Sequence, residues 1–289
     1  MLNRRVLWVG IAVLLAGVIA GCSGAPAVAP SLPDGVSLSV YQSRTDLGPR
    51  RLQVSVTNGT AEPLTITRLV FDADQFVAPA EWAKDSTTIA AGATADLPVL
   101  LGAPACALGD PRVRVELDYR LGDRAERTGR GIPDDPAGRL PEIHEEDCFA
   151  ASVIEHTAIE ASTLPREILV EGRLLAELDL TITPTGSDGS VVVDGVLDTV
   201  LLELVDPARG MAVDELPVDT TIDPATEPFT VTLLLAPARC DAHAIAEDKR
   251  GTIFPVRATS EAGAGILFVS STDEVRAGLY NFVRRSCGG

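Results

Sequence analysis

The chain has 289 residues, with 41 acidic against 24 basic side chains and a formal net charge of −17 at pH 7. This excess of acid argues against a nucleic-acid-binding protein, because phosphates require a basic surface. It argues equally against docking on anionic lipid headgroups. The length is sufficient for two domains of ordinary size.

The first 21 residues have the features of an export signal. Arg4 and Arg5 precede a run from Val6 to Ala20 that contains only apolar residues and glycine. The run is shorter than the roughly 20 residues that a membrane-spanning helix needs. A positive start, a short apolar stretch and small residues at its end are typical of a secretory signal.

This signal ends in Ile19-Ala20-Gly21-Cys22, which resembles the lipobox of bacterial lipoproteins. The resemblance implies cleavage before Cys22, acylation of Cys22 with palmitate or similar chains, and a location on the extracytoplasmic face of the cell membrane. Buried acyl chains stabilise such an anchor by about 0.8 kcal/mol per methylene. The alternative is an ordinary cleaved signal followed by an incidental cysteine.

Residues 22–35 are predicted to be the lipidated cysteine and a flexible tether, because small residues and prolines cannot form a core. From Val36 onward, short runs alternate between apolar and polar residues, which predicts β-strands. The clearest run lies between Arg112 and Arg120, and Asn58-Gly59 marks a tight turn. The segments 73–93 and 121–141 are predicted to be connections.

After Cys148 the alternation restarts and continues to Val269. One helix is predicted, at the C-terminus, from apolar residues at helical spacing: Val275, Leu279, Phe282 and Val283. Ser271 and Glu274 have the spacing of a capping box at the start of this helix.

Four cysteines remain beside Cys22, an even number in an exported chain. They allow three pairings. The stretch that ends at Cys106 resembles the stretch that ends at Cys240, and Cys148 and Cys287 follow at similar distances. We therefore predict disulfides between Cys106 and Cys148 and between Cys240 and Cys287.

The pattern predicts an all-β chain of two tandem, immunoglobulin-like β-sandwich domains, each closed by a disulfide, with a short C-terminal helix. The domains are predicted at residues 36–150 and 151–289, after the signal at 1–21 and the tether at 22–35. The resemblance to immunoglobulin domains concerns architecture only, since each first cysteine precedes a predicted strand, each second one lies at the end of its domain, and no tryptophan lies nearby.

No motif of a common enzyme class is present: no GxSxG, no P-loop, no HExxH and no GxGxxG. We predict no catalytic residues, no cofactor and no metal site. His144-Glu145-Glu146-Asp147 is the densest polar cluster and could contribute cation ligands, but a solvated loop is the simpler interpretation. Asp241-Ala242-His243 and Glu247-Asp248 have the same two interpretations.

Aromatic residues are few, so carbohydrate stacking has one candidate pair, Phe76 and Trp82 in the connection 73–93. The competing interpretation is that both rings plug a core. Charge is also uneven: residues 155–227 hold 16 acids and 3 arginines, whereas six arginines lie between Arg112 and Arg130. This distribution indicates either simple solubility or an acidic distal half that faces a basic partner.

Together these patterns predict a lipid-anchored envelope protein that binds a partner and does not catalyse a reaction. The partner would be an envelope protein, a wall polymer or a small ligand. A structural spacer without a ligand is the first alternative, and a hydrolase with a serine triad is the second.

The short connection after Cys148 predicts a fixed pose of the two domains. It reads Phe149-Ala150-Ala151-Ser152 and contains neither glycine nor proline. Grooves at domain junctions are favoured ligand sites, so we predict that any specific site lies there, with Phe149 as a contact. The alternative is that Phe149 only packs the interface.

Overall fold

The structure is a computed structural model that describes residues 30–107, 111–241 and 250–288. The predicted signal and Cys22 lie outside the described residues, so lipidation stays a prediction. The description begins at Pro30, within the predicted tether.

Among the described residues, eight strands precede the first helix: β1 (Val36–Tyr41), β2 (Arg51–Asn58), β3 (Leu64–Ala73), β4 (Ala80–Glu81), β5 (Thr87–Ile89), β6 (Thr94–Leu100), β7 (Val113–Leu121) and β8 (Arg127–Gly131). One antiparallel sheet has the order β1-β2-β6, and a second has β4-β3-β7-β8 with β5 also paired to β3. This is the arrangement of strands A-B-E and C-F-G in immunoglobulin domains.

After the helix α1 (Arg139–Ile154), the described part of the chain has ten strands and one more helix: β9 (Thr157–Glu160), β10 (Arg166–Val170), β11 (Arg173–Pro184), β12 (Val191–Leu197), β13 (Leu202–Val205), β14 (Ala212–Val213), β15 (Glu215–Ile222), β16 (Phe229–Pro237), β17 (Ile253–Ser260), β18 (Gly263–Ser270) and α2 (Asp273–Ser286). One sheet has the order β10-β11-β16-β13-β14, with β9 paired to β11, and the other has β15-β12-β17-β18. These orders correspond to A-B-E-D and C′-C-F-G, except that the D-like β13 precedes the C′-like β15.

Separate sets of buried apolar side chains fill the two sandwiches. In β2, Leu52, Val54 and Val56 are fully buried on the inward face, as the alternation predicts. The second sandwich buries Leu178, Leu180 and Ile182 in β11 in the same way, although Leu175 lies in a smaller cluster on the other face of its sheet. The mostly β, antiparallel fold that the sequence predicts is confirmed.

The turn at Asn58-Gly59 is also found. Asn58 is fully buried, and its side-chain amide donates hydrogen bonds to the backbone oxygens of Glu62 and Ile89, each at 2.9 Å. A Cβ on Gly59 would lie 2.7 Å from the backbone oxygen of Gly35, so only glycine fits this turn.

Both predicted disulfides are present, Cys106–Cys148 and Cys240–Cys287. The first cysteine of each pair lies between strands equivalent to E and F, after β6 or β16. The second lies in or at the end of the helix that follows strand G. The similarity between the two halves therefore extends from the strands to the disulfide and the helix.

Helix α1 is a correction to the sequence interpretation, which placed a connection and a solvated loop in this region. Leu140 and Ile143 are buried in the first core, and Phe149 and Val153 in the second. At about 100° per residue, Leu140 and Phe149 point to opposite sides of the helix. The helix therefore has no single apolar stripe, and the predicted boundary between residues 150 and 151 falls inside it.

The start of each helix has a local cause. Asp135 accepts hydrogen bonds from the backbone N–H groups of Arg139 and Leu140, both at 2.8 Å, which satisfies donors that the first turn of α1 leaves free. In α2, Thr272 is the capping residue and accepts from the backbone N–H of Val275. Ser271, which we expected in this role, instead donates to the backbone oxygen of Thr252.

Part of the predicted tether is docked on the first sandwich. The backbone N–H of Leu32 donates to the oxygen of Arg130 at 3.2 Å, and the N–H of Arg130 donates to the oxygen of Pro30 at 2.9 Å. These residues cover the edge of β8, which would otherwise expose unpaired backbone groups. Neither helix in the described part of the chain is long and apolar enough to cross a membrane.

The disulfides lead to a stability prediction. Replacing both Cys240 and Cys287 with Ser should lower the free energy of unfolding by about 4 kcal/mol, because the unfolded chain regains the freedom of a closed loop of this length. Urea unfolding of the variant and the parent, under oxidising conditions, measures the difference. Under reducing conditions the two proteins should differ little, and a large remaining difference would contradict the loop-closure explanation.

Candidate functional site

A cleft of about 630 Å³ lies at the junction of the two sandwiches. Its three walls are the loop between β1 and β2, one face of α1, and the outer face of β17 and β18. Cavities of about 300–1,000 Å³ are typical of small-molecule sites. The cleft is therefore the candidate site.

Helix α1 presents a mixed face to the cleft. Its lining side chains recur every three or four residues: Arg139, Ile143, Glu146, Asp147, Ala150 and Ile154. This stripe lies between the side that enters the first core and the side that enters the second. Ile154, at the end of the helix, is 56% exposed.

The β17–β18 wall is apolar. Ile253, Ile266 and Phe268 line the cleft, and Phe268 is 44% exposed. The guanidinium of Arg250 lies over the ring of Phe268, 4.5 Å from its centroid, in the range of a cation–π interaction. On the opposite face of β17, Phe254 enters the second core.

The loop between β1 and β2 forms the third wall and is organised by Asp46. The carboxylate of Asp46, which is 1% exposed, accepts hydrogen bonds from the backbone N–H of Ser43 and from Nε2 of Gln53, both at 3.0 Å. Burial acts to raise the pKa of Asp46, but the hydrogen bonds from Ser43 and Gln53 and the charge of Arg51 outweigh it and lower that pKa. The loop is thus closed around an ionised carboxylate.

Two of the cleft arginines are neutralised within the protein. Arg50 forms a two-point ion pair with Asp147 of α1 and also donates to the backbone oxygen of Gly102 at 2.8 Å. Arg139 pairs with Glu142 at 2.9 Å and Glu146 at 3.0 Å. Burial acts to lower the pKa of Arg139, yet these two carboxylates raise it, so the guanidinium stays charged.

Arg44 differs from these residues. It is exposed, it lines the cleft, and it makes no ion pair or side-chain hydrogen bond within the described part of the chain. A guanidinium is always charged near neutral pH and offers five donors. Arg44 can therefore bind an anion without first breaking an internal contact.

The structure places Phe149 differently from the groove contact that we expected. Its ring is 9% exposed and lies in the core of the second sandwich, where a Cβ on Gly265 would be 2.9 Å from it. Its helix neighbours Ala150 and Ile154 line the cleft instead. The junction groove is present, but the ring of Phe149 packs beneath it.

The polar cluster at residues 144–147 is helical, and His144, Glu146 and Asp147 have separate partners. Nε2 of His144 lies 3.0 Å from the backbone oxygen of Ala105 and 3.4 Å from Sγ of Cys148. The described residues contain no group of His, Cys, Asp or Glu that could hold a metal ion. His243, Glu247 and Asp248 lie outside the described residues, and His156 packs against Gly189.

Phe76 and Trp82 are both 7% exposed and belong to the first core, so the structure does not offer them as a carbohydrate platform. Three arginines in or next to β7 and β8 form ion pairs on the sheet surface: Arg112 with Asp74, Arg114 with Asp72 and Arg130 with Glu116. The hydrogen bond from Arg130 lowers the pKa of Glu116. Much of the basic charge in this segment is thus balanced locally.

Sequence reasoning did not single out Arg44, Arg250 or Phe268. One signal was available in β18, where Ile266, Leu267, Phe268 and Val269 are all apolar. A strand with one solvated face should alternate, so this run indicates that both faces of β18 meet apolar surroundings or a binding cleft.

Comparison with known proteins adds little. No protein-family model matches the chain, and no curated protein sequence matches it. The solved structures that it resembles include the CsuC–CsuE chaperone–tip adhesion subunit complex of Acinetobacter baumannii pili, at 8% identity over 82% of this chain and 100% of that chain, with a TM-score of 0.21.

The YadV chaperone is 13% identical over 81% of this chain and 100% of its own, and red sea bream transglutaminase is 12% identical over 84% of this chain and 32% of its own. Both have TM-scores of 0.21. Similarity this low carries no argument about function.

The geometry of the loop leads to a prediction. Asp46→Ala should lower the free energy of unfolding by about 2 kcal/mol at pH 7, because charge-assisted hydrogen bonds from the loop are lost. Urea unfolding measures the effect, with Asp85→Ala, at an exposed carboxylate, as the control.

The stabilisation that Asp46 contributes should depend on pH. Since the pKa of Asp46 is lowered in the folded state, its stabilisation is complete above the unfolded value of about 3.9 and is lost as pH falls through the folded pKa. The difference between parent and Asp46→Ala should therefore shrink below about pH 4. A difference that stays constant down to pH 2 would contradict the role of the ionised carboxylate.

Proposed function

We propose that this protein is an exported, lipid-anchored binding module whose ligand occupies the junction cleft. The observation that carries the proposal is the cleft itself, with exposed apolar side chains on one wall and, on another, the exposed Arg44, which pairs with no other described residue. Large apolar side chains that remain exposed in a concave, polar-rimmed surface are a mark of binding sites.

The cleft is held open by contacts on both sides. The Arg50–Asp147 ion pair joins the β1–β2 loop to α1, and the hydroxyl groups of Ser152 and Ser260 share a hydrogen bond of 2.7 Å between α1 and β17. A preorganised site loses little conformational entropy when a ligand binds. This supports binding as the role of the cleft.

Export is supported by chemistry as well as by the resemblance at residues 19–22. Two disulfides close the two halves of the fold, and disulfides persist mainly in oxidising compartments outside the cytoplasm. The net charge of −17 gives no attraction to anionic headgroups, so the proposed attachment is through acyl chains on Cys22.

The anchor is tested by Cys22→Ser. Without the thiol, acyl chains cannot be attached, and the protein should disappear from the processed, detergent-phase fraction of the envelope while its disulfides still form. Phase partitioning followed by immunoblotting measures this, with the parent as control. Processed Cys22→Ser protein in the detergent phase would contradict lipidation.

The binding function is tested by filling the cleft. Gly48 lines the cleft, and a Cβ built on it meets no atom within 4 Å, so Gly48→Trp can be introduced without a clash at its first atom. We expect native mass spectrometry of the protein isolated from its own envelope to show a bound ligand, and Gly48→Trp to lose it.

Leu169→Trp is the matched control, because Leu169 is 74% exposed on β10, in the other sheet and outside the cleft. It should keep the ligand. If the parent protein carries no ligand under gentle extraction, or if both variants retain it equally, the protein is better described as a structural spacer.

A further inference from the structure

We propose that the ligand of the junction cleft is a single-chain amphiphilic acid, a long aliphatic chain that ends in a carboxylate. This inference rests on the proposed binding function and names the chemical class of its ligand. It follows from three properties of the cleft: its charge, the side chains of its apolar wall, and its size.

The lining of the cleft holds a cation that is available to an anion. Arg44, Arg50 and Arg139 are among its described residues, with the carboxylates Glu146 and Asp147. Arg50 is offset by Asp147 and Arg139 by two glutamates, whereas Arg44 has no carboxylate partner in the described part of the chain. An exposed guanidinium without such a partner attracts an anion and repels a cation.

The position of the acid group follows from the internal ion pairs. Asp147 engages Arg50, and Glu142 and Glu146 engage Arg139. Arg44 has no such partner among the described residues, and it lies on the rim of the cleft in a loop fixed by Asp46. The carboxylate of the ligand would therefore pair with Arg44.

The apolar wall indicates an aliphatic body. Ile154, Ile253 and Ile266 contribute branched aliphatic side chains. Phe268 is the one aromatic side chain among the described lining residues, and Arg250 lies over one face of its ring. A single ring with one covered face offers little stacking area for a sugar or an aromatic ligand, whereas a methylene chain packs against branched aliphatic side chains.

The volume limits the ligand to one chain. A cleft of about 630 Å³ falls within the range of sites for small molecules. An interface with a folded protein partner would instead extend over about 800 Å² on each side. A single acyl chain with its acid group on the rim fits the cleft better than a protein surface does.

The test uses the oxidised chain from residue 23 onward, which contains every element that the structure describes. The probes are straight-chain fatty acids of 8 to 16 carbons and their methyl esters, each below its micelle concentration, with binding measured by calorimetry. Affinity should rise by up to about fourfold for each added methylene, until the cleft is full.

The contact between Arg44 and the acid group of the ligand is tested by changing the protein and the probe in turn. Arg44→Ala should weaken binding of the fatty acid about tenfold and leave binding of its methyl ester unchanged, while Arg44→Lys should retain most of the affinity. Arg120→Ala is the matched control, because Arg120 is an exposed cation on β7, outside the cleft. It changes the net charge equally and should have no effect.

Equal affinity for acid and ester, or no effect of Arg44→Ala, would overturn the assignment of the anion. An affinity independent of chain length would overturn the aliphatic body. If no fatty acid binds but the native protein carries another ligand that Gly48→Trp removes, the ligand class is wrong and the binding function stands. If no fatty acid binds and the native protein carries no ligand, both proposals fail.

Discussion

Helix α1 is the element on which the arrangement of the molecule depends. Its first turns bury Leu140 and Ile143 in one sandwich, and its last turns bury Phe149 and Val153 in the other. A continuous helix does not kink sharply unless its ladder of backbone hydrogen bonds is interrupted, so the two sandwiches cannot turn about it as about a flexible linker. The cleft beside α1 is a consequence of this constraint, and ligands would enter by movement of side chains and not by closure of two lobes.

Each of the two halves has a helix that follows its G-like strand, and each half uses this helix differently. In each, an E-like strand is followed by a cysteine, and a helix after the G-like strand carries its partner. In the second half, α2 covers its own sandwich through Val275, Leu279, Phe282 and Val283. In the first half the equivalent helix is shared with the next sandwich, and this sharing frees a polar face of α1 to line the cleft.

The strands and the disulfides could be predicted because their signals are local or repeated. Alternation identifies β2, β7 and β11 without knowledge of their neighbours, and the repeated position of Cys106 and Cys240 fixes the pairing. Helix α1 could not be predicted in this way, because its buried residues lie on one side of the helix near its start and on the opposite side near its end. The cleft was anticipated only as a junction groove, since Arg44, Ile154 and Phe268 come together from segments far apart in sequence.

The docking of residues 30–32 against β8 has a consequence for the height of the protein above a membrane. Between an anchor on Cys22, as we propose, and Pro30 there are only eight peptide units, which span at most about 29 Å when fully extended. The first sandwich would then stay within roughly its own thickness of the bilayer surface. A molecule that leaves the membrane would need to diffuse only a few nanometres to reach the cleft, whereas a partner on a distant structure would have to approach the membrane itself.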